Sequence, residues 1–278
     1  MFLKRLLAAL MATLMFSNFT QAKAIRFLIP IDSNVIYQMN EGRNLPKLPR
    51  EDISIFVWNM YKGKNDTWKK DYEEMTKGKD ILLLQEILTT PLMKGVIAND
   101  ADRTYYLATS FFDKWEDLAR SGVATASEYE ATEVHWQRSH YREPVVKTPK
   151  MISLVKYAME GTDKELLTMN IHAINFVGKK KLFHMVNAAL VYASKHDGPV
   201  VFGGDFNTWS KGKEKGLHKM MKEFGYKEVT YEVDGRSDNF GRPLDHIFVR
   251  DLKINSSRTW GEREGSDHYA MEVNVSYL

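Results

Sequence analysis

The sequence predicts a single α/β domain, and three observations carry that prediction. Apolar runs of strand character alternate with segments of helical spacing from about residue 52 onward. Residues 81–84 and 200–202 are apolar on both faces, as strands buried on both sides are. No internal repeat or low-complexity linker divides the chain.

Residues 1–24 read as a secretory signal peptide: Lys4 and Arg5, an apolar run over 6–16, and Ala22-Lys23-Ala24 as the cleavage site. The apolar run is too short to span a bilayer comfortably, so cleavage after Ala24 and export to the periplasm or medium are expected, with no stable membrane insertion afterwards. Residues 25–50, with Pro30, Pro46 and Pro49, form a lead-in segment; the domain proper is expected over 51–278.

Residues 53–59 form the first expected strand. A helix follows over 66–77, with Asp66 as N-cap and Gly78 as its stop. A buried strand over 80–84 ends in Gln85-Glu86, and Pro91 opens a helix to about residue 98. Strands are expected at 104–108, 122–127, 131–135, 151–157 and 166–173, then a helix over 179–196 with Leu182, Met185, Val186, Ala189 and Leu190 on one face. Residues 200–202 run into Gly203-Gly204-Asp205-Phe206-Asn207. Asp205 and Asn207, two apart, point to one side of an extended chain, and Phe206 turns inward. A helix over 214–224 and strands over 245–250 and 268–277 complete the chain.

The 278 residues are 44% hydrophobic and 27% charged, enough for a substantial core. Signal cleavage removes three basic residues and leaves 36 basic against 36 acidic ones. A polyanion-binding surface must therefore be local. The absence of cysteine excludes disulfides, thiolate metal sites and cysteine nucleophiles. Zinc-spaced histidine pairs on one helix are also absent. His246 reads as structural, and His135, His140, His184, His196 and His218 as surface or core residues.

Polar residues recur just past the buried strands: Asn59, Glu86, His172, Asp205 and Asn207, then Asp245-His246 and Ser266-Asp267-His268. Strand ends along one sheet edge make a natural ligand crevice. The ordered motifs Trp58-Asn59, Leu84-Gln85-Glu86, Asn170-Ile171-His172, Gly204-Asp205-Phe206-Asn207, Leu244-Asp245-His246-Ile247 and Ser266-Asp267-His268 resemble the endonuclease/exonuclease/phosphatase superfamily, which includes deoxyribonuclease I. The resemblance covers residue 53 to the end. It implies a four-layer sandwich, two packed mixed β-sheets with helices on the outer faces, in a metal-dependent phosphoric ester hydrolase, expected as a monomer.

The resemblance also implies roles. Glu86 matches the principal Mg2+ ligand, with Mn2+ or Ca2+ as substitutes, and a carboxylate suits a hard cation. Asn59 and Asp267 match positions lining the metal site. Asp205 matches the residue that orients or deprotonates the attacking water, with Asn207 beside it. His268 faces the scissile phosphate and Asp245 holds its far ring nitrogen. His172 matches a second phosphate-contacting position, and Asn175, three residues on, is expected to reach the same phosphate. Whether Asp205 or His268 removes the proton stays open.

Ser121-Gly122-Val123 starts a family segment that normally ends in Ser-Arg, but here Ser127 is followed by Glu128, a loss expected to remove a basic residue near the site. Lys211 and Lys213, after the Asp-Phe-Asn motif, and the lysines at 179–181 are expected to flank the cleft and attract phosphate. A phosphodiesterase of nuclease type acting on nucleic acid is the first expectation. A phospholipid-headgroup or phosphomonoester hydrolase is the second, and a binding module without catalysis the third.

Overall fold

The computed structural model describes residues 26–40, 45–238 and 241–278. The expected signal peptide and its cleavage site lie outside the described residues.

The strands in chain order are β1 (Phe27–Leu28), β2 (Ile36–Met39), β3 (Ile53–Asn59), β4 (Ile81–Leu88), β5 (Thr104–Asp113), β6 (Ala119–Ser127), β7 (Ala131–Arg138), β8 (Met151–Ala158), β9 (Glu165–His172), β10 (Val200–Asp205), β11 (Lys227–Glu228), β12 (Asp245–Arg250), β13 (Lys253–Thr259) and β14 (Met271–Ser276). The helices are α1 (Trp68–Met75), α2 (Pro91–Asn99), α3 (Lys179–Ala193) and α4 (Lys211–Glu223). One sheet runs β1-β5-β6-β4-β3-β14-β13, with β2 also paired to β5; the other runs β11-β12-β10-β9-β8-β7. Each has a parallel pair near its middle, β3 with β4 and β9 with β10, among antiparallel neighbours.

Ile55, Val57, Ile81 and Leu83 of the first sheet pack on Val155, Leu166, Val201 and Ile247 of the second. The outer face of the second sheet buries Leu182, Val186 and Leu190 of α3 and Leu217 and Met221 of α4. The outer face of the first covers Trp68, Tyr72 and Met75 of α1 and Met93, Val96 and Ile97 of α2. This is the expected four-layer sandwich. The double-sided burial of β4 and β10 follows from it: one face meets the opposite sheet and the other meets helices.

Local boundaries moved. The first helix starts at Trp68, and the Thr67 N-cap makes no side-chain capping bond. Thr90 caps α2 by accepting from the Met93 amide at 3.3 Å, with Pro91 in its first turn. Part of the lead-in pairs as β1 and β2 on the edge of the first sheet. The polar strand β13 carries no run of apolar residues to announce it.

Two glycines set the site's backbone. A Cβ on Gly203 would lie 3.1 Å from Val57 Cγ2 and 3.3 Å from Leu83 Cδ1, so this glycine lets the sheets close up. Gly204 has φ +136°, and a Cβ there would meet the Ile171 carbonyl oxygen at 2.1 Å. Below the site, Asn170 spans the sheets. Its Nδ2 donates to the carbonyls of Leu84 (3.1 Å) and Ala124 (2.9 Å), and its Oδ1 accepts from Gln85 Nε2 at 2.7 Å.

Candidate active site

The site sits where the ends of the two parallel pairs meet. On the second sheet, Asp205 is in register with His172 on one side and Asp245 on the other, so three strands deliver three neighbouring side chains. On the first sheet, β3 ends at Asn59, and the β4–β6 register shifts between Leu84 and Ile87. Glu86 lies within that bulge at φ +54°. A non-glycine residue persists there only when its surroundings hold it. Ser266 Oγ donates to the Asn59 carbonyl at 2.6 Å, and Trp58 Nε1 donates to the His268 carbonyl at 2.8 Å. The Ser-Asp-His loop is thereby fastened to the strand carrying Asn59.

Asn59, Glu86, His172, Asn175, Asp205, Asn207, Asp267 and His268 line one pocket of about 300 Å³. Asn59 Nδ2 donates to Asp205 Oδ2 at 3.2 Å, and the Asn207 amide donates to Asp205 Oδ1 at 2.9 Å. Burial pushes Asp205 up to about 7; His268 opposes the shift and Asp245 adds to it. His268 Nδ1 lies 2.7 Å from Asp245 Oδ2. Burial works against a charge on this ring. The Asp245 carboxylate, helped by Asp205 and Asp267, outweighs it and pushes His268 up to about 10. His172 Nε2 stands 3.1 Å from Lys150 Nζ, 3.5 Å from Asp205 Oδ2 and 3.9 Å from Glu86 Oε1. Burial, then Lys150, His268 and Lys62, hold it well below the ordinary histidine value.

Hard oxygen donors for a divalent cation gather on the first-sheet side. Glu86, Asp267 and the Asn59 carboxamide share the pocket wall. Burial raises Asp267; His268 opposes the shift and the Glu86 carboxylate adds to it. Such crowding of acids suits a hard cation. Asp205, Asp245 and His268 also bring ligand atoms within 4.8 Å of one another, but His268 Nδ1 is already committed to Asp245. His218, Glu228 and His246 converge too. Arg236 Nη1 lies there, 3.0 Å from Glu228, and Thr208 Oγ1 is 2.7 Å from His246 Nε2, so this group is a closed charge network behind β12.

Three expectations about basic residues are corrected. Lys213 is buried, donates to the Asn207 carbonyl at 3.3 Å, and is lowered by burial to about 8. It props the Asn207 turn from behind. Lys211, at the start of α4, and Lys179, Lys180 and Lys181, at the start of α3, are exposed, and none of them lines the pocket. Glu128 lies past the end of β6 opposite from the pocket-lining Ser121, Gly122 and Val123 and pairs with Arg103, so the missing arginine takes nothing from the site.

The pocket's cations are ones the sequence reading missed, Lys62 and Lys150. Lys150 precedes β8, which is antiparallel to β9, so the start of β8 lies beside the end of β9. A search of strand C-termini alone passes over it. Lys62 follows Asn59 in a turn where Tyr61, Lys62 and Gly63 all have positive φ. Asn175 Oδ1 accepts from Trp209 Nε1 at 2.9 Å and from the Phe176 amide at 2.7 Å, so it orders the rim.

Residues 56–268 match the model of the Endonuclease/Exonuclease/phosphatase family. The chain is 31% identical over 224 residues to a UPF0294 protein of Photorhabdus laumondii, covering 80% of this chain and 83% of that one. Among solved structures it is similar to an endonuclease/exonuclease/phosphatase from Beutenbergia cavernae, with TM-score 0.65, 13% identity, and 82% and 72% of the two chains covered. It is also similar to the mannosyl-6-phosphatase Bt3783 of Bacteroides thetaiotaomicron, with TM-score 0.61, 16% identity, and 81% and 100% covered. With the sheet order and the strand-end residues, these matches establish that the chain belongs to the Endonuclease/Exonuclease/phosphatase family of phosphoric ester hydrolases.

Proposed function

We propose that the protein is an exported, Mg2+-dependent phosphodiesterase in which Asp205 takes the proton from the attacking water. The observation carrying this reading is a pair of raised groups in one pocket: Asp205 is raised by burial into the range of a base at neutral pH, and His268, against Asp245, is raised far enough to stay charged there. A charged imidazolium has no lone pair with which to accept a proton, so His268 serves as a donor to phosphoryl oxygen, and Asp205 is the base. Asn59 and the Asn207 amide orient the Asp205 carboxylate. His172, kept neutral, turns toward phosphate without adding charge to the floor. Glu86, Asp267 and Asn59 would hold the cation, which when bound neutralises charge on the phosphoryl group. Export rests on the pattern of residues 1–24; among the described residues no helix is long and apolar enough to cross a membrane.

Nucleic acid is the substrate class to which the family resemblance points first. A phospholipid headgroup ester is favoured by a specific observation: Lys211 and Lys213 do not line the pocket, while Phe27, Phe111, Val146, Phe176 and Leu244 do. The experiment is hydrolysis of plasmid DNA, RNA, bis-p-nitrophenyl phosphate and phospholipids, with Mg2+ and with EDTA. Metal-dependent turnover that vanishes in Asp205→Asn and needs at least about tenfold more Mg2+ in Glu86→Gln supports the assignment. Full activity in Asp205→Asn refutes it.

A further inference from the structure

We propose that residues 141–149 and 173–181, two adjoining loops of which the second runs into the first turn of α3 on one side of the pocket mouth, dock the protein on an anionic phospholipid bilayer. The loops form one surface. The Asn175 amide donates to Glu143 Oε1 at 3.3 Å, and Lys181 Nζ lies 5.1 Å from the centre of the Tyr141 ring. Apolar side chains occupy its tips: Val145 is 82% exposed, Phe176 70% and Val146 42%. Phe176 is held at φ +53°, its amide tied to its neighbour's carboxamide, so an exposed aromatic is fixed in a conformation that costs free energy.

The charge around these tips has one sign. Arg142 and Lys147 bracket the valines, and Lys179, Lys180 and Lys181 follow Phe176, all exposed. The acid in these segments, Glu143, is buried. Basic residues around apolar tips match a negatively charged leaflet: the cations meet headgroups while the apolar groups enter the acyl boundary. A single-stranded nucleic acid would also meet cations and stack on Phe176. It offers nothing to Val145 and Val146, which cannot stack or hydrogen-bond, and this decides for lipid. Val146 and Phe176 also line the pocket, so docking turns its mouth toward headgroup phosphates. That consequence rests on the proposed hydrolysis; the docking does not.

The test is sedimentation of the full chain with vesicles of phosphatidylcholine and phosphatidylglycerol, and of phosphatidylcholine alone, at low salt in EDTA, where hydrolysis plays no part. The wild type is expected to sediment with the anionic vesicles and not the neutral ones. Replacing Lys179, Lys180 and Lys181 by Gln should weaken binding by about a hundredfold, each basic residue near an anionic leaflet contributing roughly a factor of five. Val145→Ser should weaken it by about tenfold. Both variants should cleave bis-p-nitrophenyl phosphate like the wild type, since none of these four residues lines the pocket. Failure of the wild type to sediment with anionic vesicles overturns the proposal, as does unchanged binding by the triple variant. If the variants instead lose affinity for a single-stranded oligonucleotide and no form binds vesicles, the surface belongs to nucleic acid.

Discussion

Replacing Asn170 by Ala should cost the protein much of its stability, although Asn170 makes no contact with the expected reacting groups. Its carboxamide makes three bonds between the sheets, two from Nδ2 to the Leu84 and Ala124 carbonyls and one accepted from Gln85 Nε2. The substitution strips a donor from two buried carbonyls and leaves Gln85 Nε2 only the Leu83 carbonyl at 2.9 Å. A buried polar group without its partner costs about 1–3 kcal/mol. Two carbonyls, each with a second lone pair to relax toward other donors, and one half-satisfied amide then total about 3 kcal/mol. In a chain of this size that lowers Tm by roughly 6–12 °C. Urea unfolding of Asn170→Ala, Gln85→Ala and the double variant measures both the loss and the coupling, which should reach about 1 kcal/mol if the two amides act as one clasp. A loss below about 1 kcal/mol in Asn170→Ala, or strictly additive single effects, would refute this account.

Three further outcomes are expected. Gly204→Ala should lose about 3 kcal/mol or more and most activity, because the new methyl meets a backbone oxygen at 2.1 Å at φ +136°; unfolding and turnover measured together check it. Asp205→Asn should abolish turnover yet make the metal-free protein more stable at pH 8. Because Asp205 is raised to about 7 on folding, the wild type loses stability as pH climbs from the unfolded carboxylate range to about 7 and carries the full cost above it, so the gain should be largest at pH 8, shrink as pH falls below 7 and be nearly gone by pH 3 in calorimetry. Asp245→Asn should move the alkaline limb of the rate profile downward from near pH 10, since His268 loses the neighbour that holds its proton; an unmoved limb would mean that another group sets it.

Much of this fold is legible in the sequence, because double-sided burial writes itself as uninterrupted apolar runs. Residues 245–250 were expected as a strand and are one, and residues 81–84 and 200–202 lie in the strands that carry Glu86 and Asp205. Strand β13 was hidden for the opposite reason. It is an edge whose Asn255 and Ser256 face solvent, so no periodic signal accumulates. The pocket residues fixed to strand ends were readable, since strand ends are where buried chains turn polar. Lys62 and Lys150 were not, since one arrives on a left-handed turn and the other at a strand's start. Lys213 misled in the reverse direction: following the Asp-Phe-Asn motif, it was expected to flank the cleft, but the helix starts at Lys211 and its first turn points this side chain inward beneath Asn207.

The position of β14 has a consequence for biosynthesis. It pairs with β3 on one side and β13 on the other, with Met271 opposite Val57, and the loop just before it brings Asp267 and His268 to the pocket. Thus β3, among the first strands to leave a ribosome, has β4 on one side but lacks its second neighbour, β14, until almost everything between has been translated. At about 5–20 residues per second this takes on the order of ten to forty seconds. Throughout that interval the nascent chain carries an open sheet edge, and Asp267 and His268 reach the site last of its residues. Chain order itself sets that sequence, and the unfinished edge is the segment a holding chaperone would most need to cover.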